Sequence, residues 1–132
     1  MKRVVLDASA LVAFYENEPG ADKVEELVRE AMEGKKELLM SVVNWGEVYY
    51  SRWHKGGQEA ADRVRAEVDQ LPIEIVDANR DLTELAAEFR VKFHLPYADC
   101  FAAALAAARK GILSTADKDF KLVQDQIHVQ WL

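Results

Sequence analysis

Four acidic residues of this chain stand where an acid is costly unless it has a partner. Asp7 directly follows the apolar run RVVL, and Asp117 follows the short run ILSTA. Glu47 borders apolar and aromatic residues in VVNWGEVYYSRW, and Asp99 is the only charge in PYADCFAAALAAA. Carboxylates that cluster raise one another's proton affinity, unless a cation is shared among them. Oxygen ligands alone favour Mg²⁺ or Mn²⁺ over zinc.

Each acid also has a purely structural explanation. Asp7 and Asp117 could each cap a helix that follows a strand. Glu47 could form a salt bridge, for example with Arg52, because partly buried acids usually find partners. Asp99 suits the first turn of a helix, where the helix dipole favours negative charge. Taken one at a time, the acids therefore leave a structural role and a metal-binding role open.

Other catalytic chemistries have little support in the sequence. None of the three histidines has partners at zinc spacing, and Cys100 is the single cysteine and has no CxxC partner. The chain contains no Walker or Rossmann glycine loop, no nucleophile elbow and no Ser-His-Asp order. We therefore expect neither nucleophilic catalysis nor a redox role.

Strands and helices are predicted to alternate, which is typical of a parallel sheet covered on both faces. Ligands bind such sheets outside the carboxyl ends of the strands. This arrangement would bring Asp7 and Asp117 to one edge, with Glu47 and Asp99 leaning over it from helices. The predicted strands are residues 3–6, 38–40, 73–78, 112–114 and 127–132; the predicted helices are 9–15, 20–34, 41–54, 58–71, 81–93, 97–110, ended by Gly111, and 120–123.

Length and composition predict one globular domain over residues 1–132. Half of the residues are hydrophobic and 30% are charged, and the longest apolar stretch, Phe101 to Ala108, is too short to span a bilayer. The lone cysteine and the lack of a signal peptide favour a cytoplasmic protein without membrane association. The net charge of -6 argues against a non-specific nucleic-acid binder but permits an enzyme that reaches phosphates through bound cations.

Four segments together resemble the PIN-domain ribonucleases, and within them the VapC-type toxins of bacterial and archaeal toxin–antitoxin pairs. These segments are VVLDASALVAF, SVVNWGEVYY, LPYADCFAAALAAA and ILSTADKDF, in the family's order and across nearly the whole chain. By position, the resemblance assigns the family's catalytic, metal-binding acidic quartet to Asp7, Glu47, Asp99 and Asp117. It assigns supporting positions to Ser9, Asn44, Thr115 and Asp119, although solvated surface charge is the ordinary explanation for the last of these.

The resemblance implies a PIN-like three-layer α/β/α sandwich with a central parallel sheet of about five strands. It also implies a Mg²⁺-dependent endoribonuclease, with Mn²⁺ as a substitute, that leaves 5′-phosphate and 3′-hydroxyl ends. Structured RNA such as tRNA is the implied substrate. A homodimer and a VapB-type antitoxin that masks the acids with a basic side chain are the implied partners.

Two other classes of function stay open. A non-catalytic PIN-like module would bind RNA or a protein through the same fold. A phosphoryl-transfer domain of the haloacid-dehalogenase or receiver type also places an acid after its first strand, but LDASA lacks the second acid of a DxD motif and no acidic pair precedes Asp7.

The surroundings of the acids give weaker signals. Cys100 replaces the alanine common after the third acid, which a small buried residue tolerates. Helical spacing favours core positions for three aromatic residues, with base stacking as the alternative: Tyr49, Tyr50 and Trp53. An apolar partner-binding face would involve Trp45, or Phe14 with Tyr15. Either a basic rim for RNA or ordinary solvated charge accounts for Arg52, Lys55, Arg109, Lys110, Lys118 and Lys121.

Overall fold

Five strands and six helices alternate along the chain in a computed structural model that describes all 132 residues. The strands are β1 (Lys2–Leu6), β2 (Lys36–Ser41), β3 (Ile73–Val76), β4 (Ile112–Thr115) and β5 (His128–Trp131). The helices are α1 (Ala8–Tyr15), α2 (Ala21–Met32), α3 (Val42–Val68), α4 (Arg80–Phe93), α5 (Tyr97–Arg109) and the short 3₁₀ helix α6 (Lys118–Val123). None of the helices combines the length and the apolar character that crossing a membrane requires.

The strands form one sheet in the order β3-β2-β1-β4-β5, and every neighbouring pair is parallel. Strand β1 is central, with Val5 paired to Leu39 on one side and to Leu113 on the other. Because all strands run the same way, their carboxyl ends meet at one edge, which we call the carboxyl edge. The predicted three-layer α/β/α fold with a parallel five-stranded sheet is confirmed.

Alternate residues of the central strands contribute their side chains to two separate hydrophobic cores. Val5 and Leu39 face a cluster built with α4, α5 and α6, whereas Val4 and Leu38 face a cluster built with α1, α2 and α3. All four side chains are at most 1% exposed. A buried aliphatic side chain stabilises a fold by about 1.5–3 kcal/mol relative to an exposed one. This two-sided burial holds β1 and β2 in fixed register.

Helix α3 reverses direction at Gly57, whose φ of 82° and ψ of 172° are not helical. A hydrogen bond of 2.5 Å joins the hydroxyl of Tyr49 to Asp62, thirteen residues further on. In a straight helix those residues would be about 20 Å apart along the axis. A Cβ on Gly56 would lie 2.8 Å from the Cβ of Ala60. The predicted pair of helices, separated at Gly56-Gly57, is therefore confirmed.

The end of α5 differs from the sequence prediction. Lys110, not Gly111, adopts the left-handed conformation that ends the helix, with φ of 52°. Gly111 is required for close packing instead, because a Cβ there would lie 3.0 Å from the carbonyl oxygen of Arg3. The chain therefore places a lysine in a conformation that glycine adopts at lower cost.

Candidate metal centre

Asp7 lies at the end of β1 and caps the start of α1. Its carboxylate accepts hydrogen bonds from the backbone N–H of Ala10 at 3.0 Å, from Ser9 Oγ at 2.7 Å and from Thr115 Oγ1 at 2.6 Å. The residue is 2% exposed. Burial raises the pKa of Asp7 from 3.8 to about 6, although the three hydrogen bonds oppose the rise. The predicted cap is confirmed, and its carboxylate is costly to ionise.

Ser9 and Thr115 connect the ends of β1 and β4. Besides donating to Asp7, Ser9 Oγ accepts a hydrogen bond from the backbone N–H of Ala116 at 3.0 Å. Thr115 Oγ1 accepts one from the backbone N–H of Asp117 at 2.9 Å, and the two hydroxyl oxygens are 3.2 Å apart. Both hydroxyls therefore lie beside Asp7, where they orient its carboxylate and the turn after β4.

Asp117 caps α6, and its carboxylate accepts a hydrogen bond from the backbone N–H of Asp119 at 2.9 Å. Asp99 approaches the same corner from the first turn of α5. One carboxylate oxygen from each of Asp99, Asp117 and Asp119 lies within 4.8 Å of the other two. Asp119 is exposed, as predicted for a surface charge, yet it adjoins the buried acids.

Asp99 is the electrostatic centre of the group. The pKa of Asp99 is raised to about 8, first by burial and then by the charge and hydrogen bond of Asp117 and the charges of Asp7 and Glu47. The residue Asp99 is 8% exposed. The charges of the other three acids that the sequence singled out therefore all act on Asp99, whereas the acids that approach one another within 4.8 Å are Asp99, Asp117 and Asp119.

Glu47 is positioned by Asn44, one turn earlier in α3. The side-chain amide of Asn44 donates to Glu47 Oε1 at 3.1 Å and to the carbonyl oxygen of Ala98 at 3.0 Å. Asn44 is 0% exposed, and its Oδ1 has no hydrogen-bond partner. This amide joins α3 to the residue before Asp99, a role visible only once α3 and α5 are packed together.

The salt bridge considered for Glu47 is absent. Arg52 and Lys55 instead contact Glu16, with nitrogen–oxygen distances of 3.4 Å and 2.9 Å. Sequence reasoning did not single out Glu16, which lies thirty-six residues before Arg52 and carries no local signal for this pairing.

The donor set fits a hard divalent cation. No salt bridge joins a basic side chain to any of the five acids at this corner, which are Asp7, Glu47, Asp99, Asp117 and Asp119. Carboxylate oxygens are the ligands that Mg²⁺ and Mn²⁺ prefer, and the buried, unpartnered Asn44 Oδ1 adds a neutral oxygen nearby. A cation would relieve the mutual repulsion that raises the pKa of Asp99.

Two interpretations of the surroundings are wrong. Tyr50 and Trp53 are not core residues, since they are 64% and 45% exposed. A single basic rim does not form, because α5 runs from the carboxyl edge to the opposite edge and carries Arg109 and Lys110 away from the acids. There Arg109 contacts Glu74 at 3.6 Å and its carbonyl accepts a hydrogen bond from Arg3.

The candidate apolar face is also more enclosed than predicted. Trp45, Phe14 and Tyr15 are half-buried and pack against the core formed with α1, α2 and α3. The rings of Phe14 and Tyr15 meet edge to face, with centroids 5.2 Å apart.

Comparison with known proteins gives one family and several similar folds. Residues 4–126 match the family described as PIN domain. No curated protein matches. Among solved structures, DNA-bound VapBC from Salmonella typhimurium is similar, with a TM-score of 0.78, 16% identity, and coverage of 99% of this chain and 98% of that chain. VapBC2 from Rickettsia felis, bound to a promoter DNA fragment, has a TM-score of 0.75, 16% identity and 98% coverage of each chain.

A third similar structure is VapC20 of Mycobacterium tuberculosis, described as a Sarcin-Ricin loop cleaving toxin. Its TM-score is 0.71, with 18% identity and coverage of 89% of this chain and 92% of that chain. At these identities the similarity establishes the fold, whereas the chemistry of this chain depends on its own residues.

Proposed function

This chain belongs to the PIN domain family, and from that premise we propose that it is a metal-dependent endoribonuclease, the toxin of a toxin–antitoxin pair. The observation that carries the proposal is the acidic cluster at the carboxyl edge: Asp99 and Asp117 lie together with Asp119, the charges of Asp7 and Glu47 reach Asp99, and no salt bridge neutralises any of them. We propose that residues 1–132 form one such domain. The reaction adds water to an RNA phosphodiester, breaks the bond between phosphorus and the 3′ oxygen, and leaves 5′-phosphate and 3′-hydroxyl ends.

The acids would hold Mg²⁺, or Mn²⁺ in its place, directly or through water. The cation, when bound, supplies Lewis acidity for the phosphate and lowers the pKa of the attacking water. Asp7, fixed by three hydrogen bonds, provides the rigid end of the ligand set. Asn44 fixes the direction of Glu47 through one hydrogen bond. Such preorganisation reduces the reorganisation needed when the substrate arrives.

None of the acids needs to act as a covalent nucleophile. A carboxyl group with a raised pKa can carry a proton at neutral pH when no cation is bound, and it loses that proton when positive charge arrives. Asp99, whose pKa is about 8 in this environment, is the acid whose charge state responds most to binding. Its half-buried neighbour Asp117 and the exposed Asp119 face the solvent side, where the phosphate would enter.

The proposal extends to substrate and partners. The substrate class is structured RNA such as tRNA, and the partners are a VapB-type antitoxin and a second copy of this chain. Support for an antitoxin comes from the similar solved structures, several of which are toxin–antitoxin complexes. Support for RNA comes from VapC20, whose description names cleavage of the Sarcin-Ricin loop.

The test is cleavage of total cellular RNA by the purified, partner-free protein with Mg²⁺ or Mn²⁺, followed by sequencing of the fragment ends. The matched controls are chelator and the Asp99→Asn variant, which keeps size and shape but removes the charge. We expect metal-dependent cuts with 5′-phosphates that both controls abolish.

Two results would contradict the proposal. Cleavage that persists in the folded Asp99→Asn variant would remove the acids from the chemistry. A wild-type protein that neither cuts RNA nor binds Mn²⁺ would instead be a non-catalytic module of the same fold.

A further inference from the structure

Two aromatic side chains lie on the outer surface of α3, where the sequence pattern favoured the core. Tyr50 is 64% exposed and Trp53 is 45% exposed. Together with Ser51, His54 and Lys55 they line an open cavity of about 520 Å³. Neighbouring exposed aromatic rings are uncommon on a surface that binds nothing, because burying them is favourable.

The cavity lies on α3, beginning about one turn beyond Glu47. Tyr50, Ser51 and His54 follow Glu47 by three, four and seven residues, which places all four on the same side of the helix. At the rise of an α-helix, the residues that line the cavity lie from about 5 Å to about 12 Å beyond Glu47 along the helix axis. A chain that is bound at the acids and follows this side of α3 would therefore pass over Tyr50, and Trp53 lies beside Tyr50 one turn further on.

The larger ring is held in place before any ligand binds. Trp53 packs edge to face against Tyr49, with ring centroids 5.8 Å apart. Tyr49 is itself fixed by its hydrogen bond to Asp62 across the reversal of α3. A surface whose side chains are already ordered loses little conformational entropy on binding.

The charge around the cavity suits a phosphate backbone. Arg52 and Lys55 share one acid, Glu16, so this group of three has an excess positive charge. His54 adds an exposed hydrogen-bonding side chain on the same face. The chain as a whole has a net charge of -6, which weakens long-range attraction to RNA. Stacking on aromatic rings does not depend on that net charge and accepts every base.

From these features we infer that the cavity on α3 holds an unpaired base of the RNA substrate next to the scissile phosphate, an inference that rests on the proposed nuclease function. The base stacks on Tyr50 and Trp53, and Lys55 contacts the phosphate that follows. RNA is commonly recognised through unpaired bases splayed onto aromatic side chains. Cleavage would accordingly require an unpaired nucleotide beside the cut.

The test measures binding of a mixed-sequence, single-stranded RNA oligonucleotide to the non-cleaving Asp99→Asn protein. We expect quenching of tryptophan fluorescence that Trp53→Phe reduces without loss of affinity. Tyr50→Ala and Trp53→Ala should each weaken binding about ten- to a hundred-fold, since stacking is lost. Tyr50→Phe should restore it, and Val91→Ala, an exposed apolar position on α4, serves as the control that changes nothing.

An abasic oligomer of the same length separates stacking from phosphate contacts, and should bind wild-type and Tyr50→Ala proteins equally. If the alanine variants bound the intact oligonucleotide as tightly as the wild type does, the inference would be overturned. It would also be overturned by a Tyr50→Ala protein that changes its oligomeric state in size-exclusion chromatography but not its RNA affinity, because the surface would then contact a second copy. Failure of the wild type to cut RNA would instead overturn the proposed function.

Discussion

Replacing Asp7 by asparagine should make the metal-free protein progressively more stable than the wild type as pH rises. The folded-state pKa of Asp7 is about 6, against an ordinary value of 3.8, because burial disfavours the charged form. Between these two values the folded protein holds the proton more tightly than the unfolded chain. The stability that protonation provides is therefore fully present below about pH 4 and is lost as pH rises through about 6.

The magnitude follows from that difference. At about 1.4 kcal/mol per pH unit, ionising Asp7 in the folded state costs about 3 kcal/mol above pH 6. About half of this cost, roughly 1.5 kcal/mol, develops between about pH 5 and about pH 8. The asparagine amide has no such cost, although it changes the hydrogen bonds to Ser9, Ala10 and Thr115 by an amount that does not vary with pH. Only the pH-dependent part tests the electrostatic argument.

The assay is urea unfolding of the wild type and Asp7→Asn at about pH 5 and about pH 8, in chelator, with Asp125→Asn as a control at an exposed position. The unfolding free energy of Asp7→Asn minus that of the wild type should rise by about 1.5 kcal/mol across this range, and the control difference should stay flat. Adding Mn²⁺ at about pH 8 should stabilise the wild type and leave the variant nearly unchanged. A difference that is flat or falls with pH would refute a raised pKa for Asp7.

Four further substitutions test individual contacts. Asn44→Ala should lower the rate of RNA cleavage about ten- to a hundred-fold and the free energy of unfolding by about 1–3 kcal/mol, because a buried amide that joins two elements is lost. Nuclease assays measure the first effect and urea unfolding the second. Lys110→Gly should raise the unfolding free energy by about 0.5–1 kcal/mol by relieving a left-handed lysine, whereas Gly111→Ala should lower it through the clash with Arg3. Thr115→Val should raise the pKa of Asp7 further, since a hydrogen bond to its charged form disappears; carboxyl titration by NMR reports the shift.

The positions of the acids were predictable because each depended on a local rule. An apolar run followed by an acid indicates the end of a buried strand, and a parallel sheet brings such ends together. Asp7 and Asp117 satisfy both the capping and the clustering interpretations, since one oxygen can cap a helix while the group still faces the other acids. The same aspartate can therefore cap a helix and also be a candidate metal ligand.

What the sequence did not reveal depended on contacts between distant elements. Helical periodicity showed that Tyr50 and Trp53 share a side of α3 but not that this side lacks a neighbouring element. Arg109 lies far from the acids because of the direction in which α5 runs. Arg52 pairs with Glu16 because α1 and α3 pack together. Such facts are set by packing across the sheet rather than by the local spacing of residues.

The uncompensated acids also explain how two different ligands could control the same site. A group of carboxylates with raised pKa values stores unfavourable free energy, which any positive charge placed among them releases. A divalent cation would do so in the active enzyme, and a basic side chain from the proposed antitoxin would do so in the inhibited complex. The two should therefore compete, so that saturating antitoxin abolishes the stabilisation of the wild type by Mn²⁺. An additive effect of the two ligands would mean that the antitoxin blocks the protein elsewhere and leaves the acids open to metal.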